Sequence, residues 1–151
     1  MDDATKKRRL EAYRRLCHEQ GRRCTIQQQA ILEAVLDLDD HPTADQIFDI
    51  VKKTVPNLSR TTVYRALENI ARMGLISKAC HPGSAIRYDR RIEVHHHLIC
   101  LRCDGITDIT DATLDSLNLP DTSGFDFEVQ DFRVQLRGIC RRCREKERKG
   151  E

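Results

Sequence analysis

The stretch SRTTVYRALENIARMG, residues 59–74, decides the fold of the first half of the chain. Val63, Leu67 and Ile70 recur at the spacing of one helical face, so the stretch predicts an amphipathic helix. Ser59 is a favourable N-cap, and a glycine is the usual residue just after a helix C-terminus. Because the apolar stripe must face a core, the polar side chains of the first two turns are left for another contact.

Further helices are predicted before this one. A basic amphipathic helix covers residues 6–19. The next begins after Thr25, which can form a capping box with Gln28. The helix after that is capped by Thr43 and stopped by Pro56. Short turns between the last three helices are typical of a helix-turn-helix unit, whose final helix enters the major groove of DNA.

Strand candidates follow at residues 75–79 and 85–88, on either side of the turn sequence HPGS. They predict a β-hairpin, which is the wing of a winged helix. Beyond Asp89 the pattern changes to short strand-like pieces at residues 94–100, 105–109 and 125–136, with a short helix at residues 111–117. We therefore predict an α+β chain, with a winged helix-turn-helix domain at residues 1–89 and a small α+β domain at residues 90–151.

The composition describes a highly charged chain of 151 residues, with 33% charged residues and a net charge of only +2. No apolar run is long enough to form a signal peptide or to span a membrane, so we expect a cytoplasmic protein.

The basic residues are clustered, as they are in proteins that bind nucleic acid. A solvated helix face explains the basic run at residues 140–149 equally well. A second basic cluster at the first helix would add sequence-independent contacts to DNA phosphates. Its members are Arg14, Arg15, Arg22 and Arg23.

Seven cysteines without a secretion signal favour metal binding over disulfides. Cys100 with Cys103 and Cys140 with Cys143 form Cys-x-x-Cys pairs, which predict a closed tetrahedral zinc site. Such a site would tie the C-terminus to the first strand of the second domain. A redox-active dithiol is the alternative, but no thioredoxin-like pattern accompanies the pairs. The remaining cysteines are interpreted as small buried residues; they are Cys17, Cys24 and Cys80.

A histidine triplet stands just before the first cysteine pair, on a predicted strand. Because side chains alternate along a strand, His95 and His97 would face one side and His96 the other. Two imidazoles on one face can bind a metal, although a triplet alone is as readily an incidental polar stretch.

Several motifs together resemble the ferric uptake regulator family. In chain order they are HPTAD at residues 41–45, TVYRAL at residues 62–67, RYD at residues 87–89, HHHLICLRC at residues 95–103 and CRRC at residues 140–143. They span nearly the whole chain at family-like spacing. The resemblance implies a winged-helix domain joined to an α+β dimerisation domain, and a homodimer that binds a palindromic double-stranded DNA operator.

The resemblance also implies a regulatory metal between the two domains. The matching positions are His41, Asp89, His95, His97 and Asp108. Imidazoles and carboxylates form a nitrogen/oxygen site that suits Fe(II), Mn(II) or Zn(II), unlike the thiolate site. Metal binding would select the closed dimer that spaces two recognition helices, so the metal-free form should bind DNA poorly.

Within the family, the chain is most similar to the peroxide-responsive branch, because Asp89 and Asp108 stand where iron-sensing members tend to have glutamates. In that branch Fe(II) reacts with hydrogen peroxide and a ligand histidine is oxidised, which would be His41 or His95 here. Release of the repressor from DNA follows. The alternative is a regulator that senses the availability of iron, zinc or manganese.

Two departures from the branch bear on these predictions. The recognition helix reads VYRAL at residues 63–67 and lacks the asparagine of peroxide sensors, so their operator cannot be transferred. His96 stands where other members carry an aspartate or an aromatic residue. We interpret His96 as a solvent-facing histidine and not as the ligand of a third metal.

The N-terminal half of the recognition helix is the part that meets base edges and phosphates in helix-turn-helix proteins. It holds Arg60, Thr61, Thr62, Tyr64 and Arg65. We expect Tyr64 and Arg65 to make the main contacts; the alternative for Tyr64 is inward packing beside Val63.

These features predict a metal-dependent DNA-binding transcriptional repressor and not an enzyme. A hydrolase would need an acid-base or nucleophile constellation, which the sequence lacks beyond the ligands themselves. A metal-storage protein would explain the ligands but not the basic recognition helix.

Overall fold

The computed structural model describes residues 1–39, 41–79 and 85–150. The chain divides into two compact units, Met1–Ile92 and Glu93–Glu151. The boundary lies just after the change of pattern at Asp89 that the sequence shows. Among the described residues, no helix is long and apolar enough to cross a membrane.

Helices α1 (Asp3–Glu19), α2 (Ile26–Asp37), α3 (Ala44–Val51) and α4 (Arg60–Arg72) make up most of the first unit. The predicted caps are confirmed: the side chains of Thr25, Thr43 and Ser59 each accept a hydrogen bond from the backbone N–H three residues later. Thr25 and Gln28 form the predicted capping box. Each cap satisfies one backbone N–H that the first turn of a helix leaves without an intrahelical acceptor.

Helix α3 is shorter than predicted, because it ends at Val51 and not before Pro56. Thr54 donates from both its backbone N–H and its hydroxyl to the carbonyl of Val51, at 3.0 and 3.1 Å. The same carbonyl also accepts from the N–H of Val55 at 2.9 Å, so this tight turn satisfies it at the end of the helix. The proline comes after the helix has already ended.

The helices of the first unit share one apolar core. The predicted stripe of α4, Val63, Leu67 and Ile70, is completely buried there. Ile31 and Leu32 of α2 pack into the same core. Each such side chain contributes about 1.5–3 kcal/mol by leaving water, so the face of α4 that the sequence assigns to the core is fixed.

Strands β1 (Ser77–Ala79) and β2 (Arg87–Asp89) pair antiparallel, with Lys78 opposite Tyr88. They correspond to the predicted wing strands, although each begins two residues later than expected. Gly74, at φ 70°, ends α4 in the left-handed conformation that glycine adopts without strain. The predicted turn sequence at residues 81–84 and Cys80 lie outside the described residues.

The second unit is built on a sheet with the order β4-β3-β5. Its strands are β3 (His96–Cys100), β4 (Ile106–Ile109) and β5 (Gln135–Gly138). The β3–β4 pair is antiparallel and sets His97 opposite Asp108. The β3–β5 pair is parallel and sets Cys100 opposite Gly138. The central strand therefore carries a histidine and a cysteine of the predicted metal sites.

The remaining elements of the second unit are short. Helix α5 (Ala112–Asp115) and a 3-10 turn (Ser123–Phe125) follow β4, and α6 (Arg141–Lys149) follows β5. The alternation at residues 125–136 predicts a strand, but only its last residues enter β5. Helix α6 exposes its basic residues, which agrees with a solvated helix face.

Candidate metal centres and nucleic-acid interface

The four paired cysteines come together in the second unit. Cys100 ends β3, Cys103 lies in the turn after it, and Cys140 is the N-cap of α6, with Cys143 in the first turn of that helix. Their sulfur atoms lie within 4.8 Å of one another. The sulfurs of Cys103 and Cys140 are 3.9 Å apart, so the two pairs face one centre.

Local backbone structure explains why the first pair converges. The N–H of Asp104 donates to the carbonyl of Cys100 at 3.0 Å, and the N–H of Cys100 donates to the carbonyl of Gly105 at 2.9 Å. Asp104 adopts φ 52°, a left-handed conformation that aspartate tolerates better than most residues. A Cβ at Gly105 would lie 3.3 Å from the sulfur of Cys103, so glycine leaves room for that sulfur.

The thiol pKa values differ strongly within this small cluster. The backbone N–H of Cys140 donates to the sulfur of Cys100 at 3.3 Å and is the main reason that the pKa of Cys100 falls to about 6. The pKa of Cys143 rises to about 12, chiefly because its thiol bonds to the sulfur of Cys140. If more of the four thiols lose their protons, the resulting thiolates repel one another, because their sulfur atoms lie within 4.8 Å. A divalent cation between them removes that repulsion. The donor set fits structural zinc.

His41 and Asp89 meet in the first unit, and both are buried. Nε2 of His41 lies 3.4 Å from Oδ2 of Asp89. The two segments are joined by hydrogen bonds: the N–H of Tyr88 donates to the carbonyl of Pro42 at 2.9 Å, and the guanidinium of Arg87 donates to the carbonyl of His41 at 3.0 Å. These bonds hold one imidazole and one carboxylate side by side.

His95, His97 and Asp108 meet in the second unit. Oδ1 of Asp108 lies 3.4 Å from Nε2 of His95 and 3.6 Å from Nε2 of His97. Nδ1 of His95 is 2.7 Å from the carbonyl oxygen of Glu93. Because a carbonyl only accepts, Nδ1 donates this hydrogen bond, and Nε2 is left facing the carboxylate. An imidazole oriented in this way is a typical metal ligand.

His96 faces away from its neighbours as predicted, but it is not the solvent-facing histidine that we expected. Its side chain is 0% exposed. The backbone N–H of Val134 donates to its Nδ1, so its Nε2 carries the proton and donates to Asp115, both at 3.0 Å. The ring also lies 5.8 Å from that of Phe132. Sequence reasoning missed this role because the groups that bury His96 lie far along the chain, with Asp115 at the end of α5 and Val134 in the irregular segment before β5.

The recognition helix α4 presents Tyr64 and Arg65 to solvent. Tyr64 is 46% exposed, whereas the neighbouring Val63 is completely buried, so the alternative of inward packing for Tyr64 is wrong. Thr61 is exposed. The hydroxyl of Thr62 lies 2.8 Å from that of Ser59, within the cap of the helix.

Other predicted DNA-binding residues make contacts within the first unit. The guanidinium of Arg60 donates to Asp45 and stacks 4.5 Å from the centre of the Phe48 ring. Arg14 donates to the side-chain amide oxygen of Gln29 at 2.9 Å. The remaining predicted phosphate contacts are exposed; they are Arg15, Arg22 and Arg23. The guanidinium of Arg15 lies 3.7 Å from the carboxylate of Glu19.

Cysteines outside the zinc cluster are placed in part as predicted. Cys17 is buried in the core of the first unit. Cys24 is half-buried and accepts a hydrogen bond from the side chain of Gln29 at 3.1 Å.

Comparison with known proteins identifies the family. The pattern of the ferric uptake regulator family matches residues 19–137. The chain belongs to that family. Ferric uptake regulator proteins are transcription regulators and not enzymes, so the hydrolase alternative is dropped. The chain is 32% identical over 125 residues to the peroxide-responsive repressor PerR of Staphylococcus epidermidis, covering 83% of each protein.

Solved structures of ferric uptake regulator proteins share the fold. The ferric uptake regulator of Helicobacter pylori, described as having three functional metal binding sites, matches with a TM-score of 0.82 at 22% identity, over 94% of this chain and 95% of that one. The peroxide sensor PerR of Streptococcus pyogenes matches with a TM-score of 0.51 at 25% identity, over 89% of this chain and 92% of that one.

Proposed function

We propose that this chain is a metal-dependent transcriptional repressor that binds a palindromic DNA operator as a homodimer in the cytoplasm. Fe(II) or Mn(II) is its regulatory metal, and zinc is its structural metal. The observation that carries the proposal is the pairing of buried imidazoles with carboxylates: His41 with Asp89, and His95 and His97 with Asp108. Such nitrogen and oxygen donors suit Fe(II) and Mn(II), whereas the thiolates suit zinc.

A single regulatory metal would take ligands from both units. A conformation that assembles all five ligands binds the metal more tightly than other arrangements, so the metal raises its population. If this conformation spaces two recognition helices for the two halves of an operator, metal and DNA binding are coupled. The metal thereby acts as the corepressor.

A homodimer is supported by apolar surface in the second unit. Leu98 of β3, Leu136 of β5 and Phe127 before β5 are at least 40% exposed within one chain. Leu98 and Leu136 lie opposite each other in the sheet, and adjacent exposed apolar side chains are typical of surfaces that a partner covers. A second copy of the same chain would bury them and supply the second recognition helix.

Peroxide sensing is the finer part of the proposal. It rests on the aspartates at positions 89 and 108 and on the similarity to a peroxide-responsive repressor. Bound Fe(II) would supply electrons that cleave the O–O bond of hydrogen peroxide and would recover them from the imidazole that is oxidised. In net, one peroxide oxygen is inserted into a C–H bond of the His41 or His95 ring, and the other leaves as water. An oxidised imidazole is a poorer ligand, so the operator is released.

Mass spectrometry of the metal-loaded protein tests peroxide sensing. The zinc-containing protein is loaded anaerobically with Fe(II) or Mn(II) and treated briefly with hydrogen peroxide. We expect one added oxygen on His41 or His95 in the iron form alone, together with loss of operator binding. His18, which is exposed, and His96, whose ring nitrogens bond to Asp115 and Val134, are internal controls that should stay unmodified.

A different result would identify a sensor of metal availability. If neither His41 nor His95 gains oxygen and operator binding simply follows the concentration of iron, zinc or manganese, the peroxide proposal is wrong. The same donor set then serves metal-uptake regulation.

Arg65→Ala tests the DNA interface. We expect operator affinity to fall about tenfold, because one specific base contact contributes about 1–3 kcal/mol. Arg65 is exposed on α4, one residue after the exposed Tyr64. Fluorescence anisotropy with labelled operator at fixed salt measures the change. Arg72→Ala removes a similar charge from the last turn of the same helix and should have little effect; equal losses in both variants would contradict the assignment.

A further inference from the structure

Glu68 joins the recognition helix to the wing. It lies on α4, one helical turn after Tyr64. Its carboxylate accepts from the ammonium of Lys78 on β1 at 2.6 Å and from the hydroxyl of Tyr88 on β2 at 3.3 Å. The hydrogen bond from Lys78 is the main reason that the pKa of Glu68 lies below its usual value. The carboxylate is therefore charged at neutral pH and bridges both wing strands to α4.

Tyr88 connects this bridge to the metal ligands of the first unit. Its ring is buried, and its backbone immediately precedes Asp89. Its N–H donates to the carbonyl of Pro42, the residue after His41, at 2.9 Å. One tyrosine thus contacts the recognition helix through its hydroxyl and the His41 segment through its backbone. A shift of β2 moves both ends of this connection together, because packed strands do not deform locally without cost.

We propose that Glu68 is a positioning residue that couples the metal ligands His41 and Asp89 to the recognition helix through Tyr88 and Lys78. This inference rests on the proposed function, since it concerns how metal binding reaches DNA. The coupling element is the β1–β2 wing, which Glu68 holds against α4. Lys78, which basic charge alone suggests as a phosphate contact, instead serves this bridge.

The test measures operator dissociation constants with and without saturating Mn(II), in the zinc-containing full chain. The dissociation constant without Mn(II) divided by that with Mn(II) measures the coupling between metal and DNA binding. For Glu68→Gln we expect the ratio to fall at least about threefold, because residues along such connections change coupling by roughly two- to thirtyfold. By reciprocity, the gain in Mn(II) affinity on adding operator should fall by the same factor.

Matched variants separate coupling from general stability. Asp37→Asn breaks an ion pair of similar length, 2.7 Å to Lys6, that joins α1 to α2 and does not touch the wing; it should leave the ratio unchanged. Tyr88→Phe removes one hydroxyl and should lower the ratio, and combining it with Glu68→Gln should add little further. Melting temperatures confirm that each variant is folded.

The possible outcomes are distinct. An unchanged ratio in both Glu68→Gln and Tyr88→Phe would overturn the inference. If operator binding is weakened by the same factor with and without Mn(II), the two residues have a purely structural role. A ratio near one in the unmodified protein would instead refute the metal-dependent repressor itself.

Discussion

Cys100→Ser is expected to yield a protein without zinc whose second unit is unfolded. Cys100 ends the central strand β3, and its sulfur accepts the N–H of Cys140, which begins α6. A structural zinc site contributes on the order of 10 kcal/mol at pH 7, as much as the whole stability of a small domain. Metal analysis by mass spectrometry, circular dichroism and limited proteolysis would report zinc content and the loss of structure after Ile92.

Cys24→Ser is the control for this prediction. Cys24 is a half-buried thiol of the first unit and is not part of the zinc cluster. Its loss should leave zinc content and the protease resistance of the second unit unchanged. A Cys100→Ser protein that retains one zinc ion per chain and melts like the original would contradict the four-cysteine site.

His95→Ala is expected to abolish metal-dependent operator binding while the fold and the zinc content remain. We expect the Mn(II) dissociation constant to rise at least about 100-fold, because losing even an outer partner of a ligand costs about 10–100-fold. The ring of His95 is completely buried and its Nε2 lies 3.4 Å from Asp108, so alanine removes a nitrogen donor that faces this carboxylate. Calorimetry with Mn(II) and anisotropy with operator measure the two effects.

The exposed His18 on α1 provides the comparison for His95. His18→Ala removes the same side chain from a surface position and should change neither Mn(II) affinity nor operator binding. If the His95→Ala protein still required Mn(II) to bind operator, with the original affinity for the metal, His95 would not be a regulatory ligand.

Features that depend on near neighbours in sequence could be predicted. The caps at Thr25, Thr43 and Ser59 and the core face of α4 each follow from a few adjacent residues. The cysteine pairs are similar, because Cys-x-x-Cys spacing itself brings two sulfurs to one turn. The strand alternation places His95 and His97 on one face, and the family resemblance added His41, Asp89 and Asp108, which no local pattern identifies as ligands.

Features that depend on distant segments could not be predicted. The strand period correctly separates His96 from its neighbours, but it does not reveal that Asp115 and Val134 cover the other face. Strand β5 is limited to the residues that pair with β3, whereas the alternating pattern already begins at residue 125. The sequence also does not reveal that Asp45 and the ring of Phe48 on α3 contact Arg60, which stays a predicted DNA contact.

Strand β3 carries His97 and Cys100 only three positions apart. The position of this one strand therefore places a ligand of the histidine site and a ligand of the zinc site. Slipping this strand by one residue against β4 would turn His96 toward Asp108 and turn His97 away. Zinc at Cys100 fixes the end of the strand and so opposes such a slip. Oxidants that convert these thiolates to disulfides and release the zinc would therefore disrupt the histidine site without modifying a histidine, because the strand that carries His97 would lose its structure.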